Sequence, residues 1–386
     1  MWLRLTGRVK TILLRSAALH DQGRVGALTG PAAIFIPTWQ EAGVIGTTIA
    51  HLLSVWPQAG LRLYVGCYRN DPATAEAVIK AASGDSRLRL VLHDRIGPTT
   101  KADCLNRLYD ALCADELRGG YRARMVVLHD AEDMVDGAGL GLLDKAMDDA
   151  ALAQLPVLPV PQPQSAWIGS HYCEEFAEAH GKAMVVRGAL GAGMPLAGVS
   201  CAIGREALGA LAGTKPDGAP FAADCLTEDY ELGLGISAKG GKAKFLRYRH
   251  GGGQLVATRA YFPARLDQSV RQKTRWIHGI AFQGWDRLGW HGRPAEVWMR
   301  LRDRRGPLTA LVLALAYALL IMSGIGWLIS LAGYSSGLEL TPELRVILAL
   351  NFGSFVWRVI WRFGFTAHEY GWARGSAQFC EFPSPT

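Results

Sequence analysis

Along the first 130 residues, short and mostly apolar runs alternate with stretches of helical spacing. Residues 33–37, 61–67, 88–92 and 125–128 have strand length and the composition of strands buried on both faces. Between them the pattern predicts helices over 38–54, 72–82 and 101–114, the last through Leu105, Leu108 and Leu112. Thr38 and Glu41 fit a capping box for the first helix, and Asp71-Pro72 an N-cap and N1 pair for the second. Strands and helices in this alternation predict an α/β fold with a doubly wound, mostly parallel sheet. Farther on, helices are expected at 140–150, 167–187 and 266–284, with another opening at Thr227-Glu228-Asp229. Residues 154–160 read as a Pro-interrupted, edge-like strand, 188–198 as a flexible Gly/Ala-rich loop or a place where backbone meets a ligand, and 199–203 as a strand.

The pattern changes after residue 307. No charged residue occurs from 308 to 333, and about 25 residues at a 1.5 Å rise exceed the roughly 30 Å hydrocarbon core of a bilayer, so a transmembrane helix is expected. Residues 344–365 form a second candidate, in which Arg358 and Arg362 must reach an interface. The domain plan is a basic N-terminal arm (1–30), an α/β domain (31–290), an interfacial segment (291–306), a transmembrane helical hairpin (307–366) and a tail (367–386). Arginines flank the first spanning helix on its N-terminal side and the second on its C-terminal side, which puts the α/β domain in the cytoplasm.

Composition adjusts this picture in two ways. The 49% hydrophobic content is concentrated in those C-terminal stretches, and much of the net charge of +7 lies in arginines beside them. That placement points to membrane lipids as partners and not to nucleic acid. The seven cysteines are scattered without a C-x-x-C pair, which argues against zinc and a disulfide framework and for a reducing compartment.

The candidate chemistry starts at MVVLHDAEDMV, residues 125–135, where a buried strand runs into Asp130, Glu132 and Asp133. Ligands of open α/β sheets bind beyond the carboxyl ends of the strands. Two carboxylates two positions apart can face one hard cation, Mg2+ or Mn2+. Alone, such a turn reads better as a solvated acidic cap of the helix that follows.

Four further motifs accompany it in order: FIPTWQE (35–41), KADCLN (101–106), LTEDYELG (226–233) and RQKTRW (271–276). Together with HDAED and the apolar pair, the set resembles the membrane-bound family 2 glycosyltransferases of the GT-A fold, which include cellulose and hyaluronan synthases as distant members. The wording of YRNDPAT and QKTRWIHGIAFQGW is most similar to the bacterial inner-membrane enzymes of the Nfr phage-adsorption type. The resemblance implies an inverting enzyme that moves a sugar from a nucleotide-sugar donor, expected to be UDP-linked, to a glycan or lipid-linked acceptor at the cytoplasmic face of the inner membrane. It implies metal binding by Asp130 with Glu132 or Asp133. Asp229 matches the general base, with its charge easily held at a helix N-terminus. Gln272, Arg275 and Trp276 match the Q-x-x-R-W signature, with a guanidinium for diphosphate oxygens and a ring face for an acceptor sugar. Glu41, Asp71, Lys101, Asp130 and Glu228 are the expected nucleotide-sugar contacts. Glu41 doubles as the capping-box acid, and the family's acidic pair after the second strand is replaced here by Gly66-Cys67, which leaves uridine specificity open.

Two spanning helices cannot enclose a polysaccharide conduit, so a processive, secreting role requires an outer-membrane or secretion partner, or an oligomer. A glycoside hydrolase reading leaves the Q-x-x-R-W helix unexplained. A catalytically inactive scaffold or receptor subunit of a surface-glycan or phage-adsorption system remains the alternative.

Overall fold

The computed structural model describes residues 12–13, 27–333 and 341–371. Most of the expected arm (1–30) and of the tail (367–386) lies outside the described residues. Within the arm, Ile12–Leu13 pairs in parallel with Tyr248–Arg249.

The expected strands and helices are present in the expected order. β1 (Ala32–Pro37), β2 (Leu61–Tyr68), β3 (Leu88–His93) and β4 (Met125–Leu128) form a parallel block in the order β3-β2-β1-β4. Helices α1 (Ile45–Val55), α2 (Pro72–Ala82), α3 (Lys101–Gly119) and α4 (Gly139–Ala146) connect or follow them. Alternate side chains of each central strand enter opposite cores. Ile34, Ile36 and Val127 pack under α1 and α4 with Ile49, Leu52 and Leu140. Phe35, Val126 and Leu128 pack against α3 through Leu105, Leu108 and Leu112. Each such fully buried aliphatic side chain contributes about 2 kcal/mol of transfer free energy.

Two expectations fail here for local reasons. The predicted capping box at 38–41 does not form, because the Thr38 hydroxyl donates to Gly66 O (2.7 Å) and α1 begins only at Ile45. The turn instead passes through Gln40 at φ +58°. The Asp71 cap does form, accepting from Thr74 N at the start of α2.

The expected edge-like strand at 154–160 is divided between two sheets, since Pro156 has no N–H to continue a ladder. β5 (Leu152–Gln154) lies inside the main sheet, and β6 (Val157–Pro159) belongs to a separate two-stranded one. Helix α5 (Ala166–Glu178) continues through a π-helical turn at Ala179–Ala183 into α6 (Met184–Ala189). This bulge points His180 at β6, whose Val157 N donates to its Nδ1 (2.9 Å); burial lowers the imidazole pKa to about 4 and keeps it neutral. β7 (Cys201–Gly204) then runs antiparallel between β4 and β5 and is followed by α7 (Arg205–Ala212). After α8 (Glu228–Ala238), β8 (Ala243–Phe245) completes the seven-stranded sheet and β9 (Thr258–Ala260) pairs with β6.

The expected helix 266–284 is α9 (Leu266–Ile277), extended by a π-helical turn at His278–Gln283 into α10 (Gly284–Leu288). α11 (Pro294–Arg304) leads into α12 (Gly306–Leu331), and α13 (Pro342–Tyr370) follows. The last two are long and apolar enough to cross a membrane, and the apolar stretch of each is unburied. Most of the expected interfacial segment (291–306) is α11. Trp298 is exposed, but Met299, Arg300 and Arg304 are buried. The two arginines donate to Leu288 O, Gly289 O and Gly284 O, backbone carbonyls of α10 and of the residue after it.

The last turn of α13 is fastened to the α/β domain. Glu369 accepts from both Arg247 and Arg249 (2.6 Å for the latter), Tyr370 OH donates to Pro159 O (2.9 Å), and Arg362 pairs with Glu174 of α5 (2.9 Å).

Candidate active site

β1 and β4 end at the same rim of the sheet, and α3 and α8 begin there. The turn after β4 sorts its three acids by environment. Asp133 is sealed in the interior, where its Oδ2 accepts from the backbone N of Asp130 (2.9 Å) and from His129 Nδ1 (3.0 Å). These bonds fold the turn back and project Asp130 outward. Asp130 pairs with Lys101, the first residue of α3, whose Nζ also reaches Gly198 O (3.4 Å). Burial works against the Lys101 charge, but Asp130, Glu228 and Asp229 outweigh it and hold the ammonium above its ordinary range.

Glu132 is partly buried beside Asp130. Burial, followed by repulsion from Asp130, Asp133 and Glu41, pushes its carboxyl up to about 7. Glu41 is raised for the same reasons, burial first and then Asp130 and Asp71. With the capping box absent, Glu41 has no helix-capping duty. Asp71 has two such duties: besides capping α2 it accepts from Gln40 N (2.6 Å), and so it acts on the turn that carries Glu41.

The opposite side of the crevice comes from the start of α8. Asp229 Oδ1 accepts from Tyr230 N (2.7 Å). Burial and the neighbouring Glu228 push the Asp229 carboxyl up to about 7 against the pull of Lys101. The helix N-terminus therefore does not keep this acid easily charged, as its place in the sequence suggested; desolvation is the larger effect.

The segment 192–198 is pinned and not flexible. Ala192, Met194 and Leu196 are buried, and Gly193 N donates to both Glu296 oxygens (3.0 and 2.9 Å). Gly233 on α8 allows this crossing, since a Cβ there would stand 2.2 Å from Met194 O. The crossing brings Gly198 over Asp229. At φ +76°, and with a Cβ position only 2.8 Å from Asp229 Oδ2, residue 198 has no room for a side chain.

Gln272, Arg275 and Trp276 lie three and four residues apart on one side of α9. Gln272 Oε1 accepts from Tyr172 OH (2.8 Å), and Trp276 packs near Tyr172 and Phe176 at ring separations of 6.3 and 6.4 Å. Arg275 is exposed, with no ion pair among the described residues. Lys101, Asp130, Glu132, Asp133, Glu228, Asp229, Gln272, Arg275 and Trp276 all line one cavity; Glu41 and Asp71 are not among its lining residues. Sequence reasoning missed Phe176, Tyr261 and Phe262, which also line it. The only sequence signal for the last two was an aromatic pair just before α9.

Position within the fold comes from Tyr230. Its hydroxyl donates to Asp303 Oδ2 (3.1 Å), and Arg187 grips both Asp303 oxygens (2.9 and 2.6 Å). The residue next to Asp229 is thus tied to α11, one turn before the first apolar helix.

Among the described residues no cluster of three or more His, Cys, Asp or Glu side chains forms a complete metal cage. The donor set suits a different kind of site. Mg2+ and Mn2+ commonly take one or two carboxylates and complete their shells with phosphate oxygens and water. Asp130 and Glu132 line the same cavity, and burial first, then repulsion from Asp130, raises Glu132, so this carboxylate pair fits a divalent cation that completes its shell with phosphate oxygens and water.

A mostly parallel sheet with one antiparallel strand beside β4, and acids at the rim where β1 and β4 end, belong to the GT-A class. The family described as glycosyltransferase like family 2 matches residues 30–279, and the chain belongs to it. Bacteriophage adsorption protein B of Escherichia coli K12 is 33% identical over 374 residues, or 89% of this chain and 49% of that protein. Bacteriophage N4 adsorption protein B of Escherichia coli O157:H7 matches to the same extent. The chain thus spans about half the length of these curated relatives. Among solved structures, the mannosyltransferase PcManGT from Pyrobaculum calidifontis, in complex with GDP-Man and Mn2+, shares the fold with a TM-score of 0.53 at 17% identity, over 92% of this chain and 90% of that one.

Proposed function

We propose that the chain is an inverting, metal-dependent glycosyltransferase that uses a nucleotide-sugar donor at the cytoplasmic face of a membrane. The observation that carries this reading is the convergence of Asp130, Glu132, Asp229 and Arg275 on one cavity from three separate stretches of sequence.

Asp130 and Glu132 would hold a Mg2+ or Mn2+ ion, which neutralises charge building on the departing diphosphate. Glu132 is preferred to Asp133 because the Asp133 carboxylate is enclosed and committed to His129 and the Asp130 backbone. Arg275, free of competing ion pairs among the described residues, offers a planar donor fork to the same diphosphate. Lys101 holds Asp130 in place and lies between the two carboxylate groups. Glu228 lines the approach of the donor, Glu41 lies close enough to Asp130 to feel its charge, and Asp71 sets the Glu41 turn.

Asp229 takes the proton of the acceptor hydroxyl as that oxygen attacks the anomeric carbon. A base with a pKa of about 7 suits this task near neutral pH, since it is both deprotonated and basic enough to accept. One base and one in-line displacement invert the anomeric configuration.

The test is release of nucleoside diphosphate from a panel of UDP- and GDP-sugars in the presence of Mn2+, with Asp229→Asn as the control; GDP-sugars are included because of the donor in the structural neighbour. Release by the wild type and loss in the variant support the enzyme. A wild type inert toward every donor supports the scaffold reading.

A further inference from the structure

Two stretches that face the cavity are also fastened to each other behind it. Residues 224–231 run into α8 and put Leu226, Thr227, Glu228 and Asp229 on the cavity wall, while α9 contributes Gln272, Arg275 and Trp276. Directly after α9 the helix takes its π-helical turn at His278–Gln283. Such a turn holds one residue more than an α-helical one, is rare, and recurs at functional sites. Here Gly279 and Gln283 of the turn, with Gly284 and Arg287 of α10, all meet the segment that carries Asp229.

Each contact falls on a neighbour of Asp229. Gly279 lies against Thr227, since a Cβ at 279 would stand 2.6 Å from Thr227 Cγ2 and closer still to its Oγ1. Gln283 Oε1 accepts from Leu226 N (2.9 Å). Gly284 passes the Tyr230 ring, where a Cβ would be 3.3 Å from Cε1. Arg287 forks onto both Glu231 oxygens (2.6 and 3.1 Å) and reaches Asp224 Oδ2 (2.5 Å). None of these contacts is made to Asp229, which stays on the cavity wall.

Two local rules are broken where Gly279 meets Thr227. Glycine inside a helix is about 1 kcal/mol less favourable than alanine, yet Gly279 and Gly284 are both buried in this one. Thr227 stands at the N-cap of α8, where a threonine side chain ordinarily accepts from a backbone N–H, yet it makes no capping bond. Its side chain fills the space over Gly279 instead. A helix former and a cap given up at one contact point to a requirement of position and not of local stability.

We infer that Gly279, with Thr227 seated on it, is a positioning residue, and that the π-helical turn locks the segment of Asp229 to the helix of Arg275 and Trp276 so that base and guanidinium keep a fixed separation. The inference rests on the glycosyltransferase reading and deepens it. Gln283 supports the same junction through Leu226 N, and the partly exposed Arg287 pairs add less.

The test is a size exchange at this contact in the full chain, assayed in Mn2+ with a nucleotide sugar that the wild type turns over. Rates are divided by the fraction of molecules that bind UDP or GDP, so that a purely structural defect leaves kcat unchanged. Gly279→Ala should lower this kcat about 10²-fold, as a shift of about 1 Å at the reacting centre does, with donor KM within about threefold. Adding Thr227→Ala, which removes the atoms that the new Cβ meets, should recover at least about tenfold of the loss, with Thr227→Ala alone as control. Gln283→Leu is the milder variant: kcat should fall about fivefold at unchanged KM as Leu226 N loses its acceptor, and Gln283→Glu, which keeps an oxygen there, should restore it. Wild-type kcat in both Gly279→Ala and Gln283→Leu, equal effects on kcat and KM, or a Gly279→Ala loss that Thr227→Ala does not reduce overturns the positioning role and leaves the enzyme reading intact. No release from any donor by the wild type removes both.

Discussion

Two short acidic runs, HDAED after β4 and TED at the start of α8, face each other across the cavity, and their side chains are put to different uses. In the first run one acid is spent on the fold so that another can be presented. Asp133 holds the turn through His129 and the Asp130 backbone, and Asp130 then meets Lys101. In the second run the presented acid is itself desolvated, and its support comes from the neighbouring Tyr230, which is anchored to Asp303. The lesson is that proximity in sequence says little about role: acids two or three residues apart divide into scaffold and tool according to which backbone groups they serve.

This division can be broken in four ways, in decreasing order of effect. Asp229→Asn should lower kcat about 10³-fold, within the range removed with a general base, while nucleoside diphosphate affinity changes less than about twofold. Equal losses in both would mean that Asp229 holds the donor and is not the base. Asp133→Ala should destabilise the protein by roughly 3 kcal/mol, because a buried imidazole and a backbone N–H lose their acceptor. Thermal unfolding reads this directly, and an unchanged Tm would show that the turn does not depend on Asp133. Lowering the pH from 8 to 6 should reduce kcat about tenfold, since an acid with a pKa of about 7 is protonated below that value and cannot accept a proton. A rate flat down to pH 5 would place the Asp229 pKa in the ordinary carboxylate range. Asp303→Asn, which keeps the shape but weakens the grip of Arg187 and Tyr230, should lower kcat only a few-fold with donor KM unchanged and with partial rescue in Asp303→Glu.

The parallel block and both acidic runs were legible from sequence because they depend on local rules. Apolar runs of strand length, an Asp-Pro cap and acids beyond a strand end each carry their own signal. What stayed hidden depended on distant partners. Nothing near Thr38 announces that its hydroxyl turns to Gly66 and leaves Glu41 free of a capping role. Pro156 marked an interruption, but only the pairing of β6 with β9 shows that the chain changes sheets there. The Gly-rich segment before β7 read either as flexible or as a place where backbone meets a ligand, and what fixes it is Glu296, about a hundred residues later. The raised pKa of Asp229 was equally out of reach, since a helix N-terminus predicts the opposite direction until burial is known.

The grip of Arg247 and Arg249 on Glu369 bears on how the α/β domain is carried by the two membrane-length helices. A domain joined to its anchor by a loose linker would sample many heights and tilts, and a surface-bound acceptor would have to await the right one. Fastened at the final turn of α13 as well as through α11, the α/β domain is held to both long apolar helices, and the mouth of the cavity keeps a constant bearing to them.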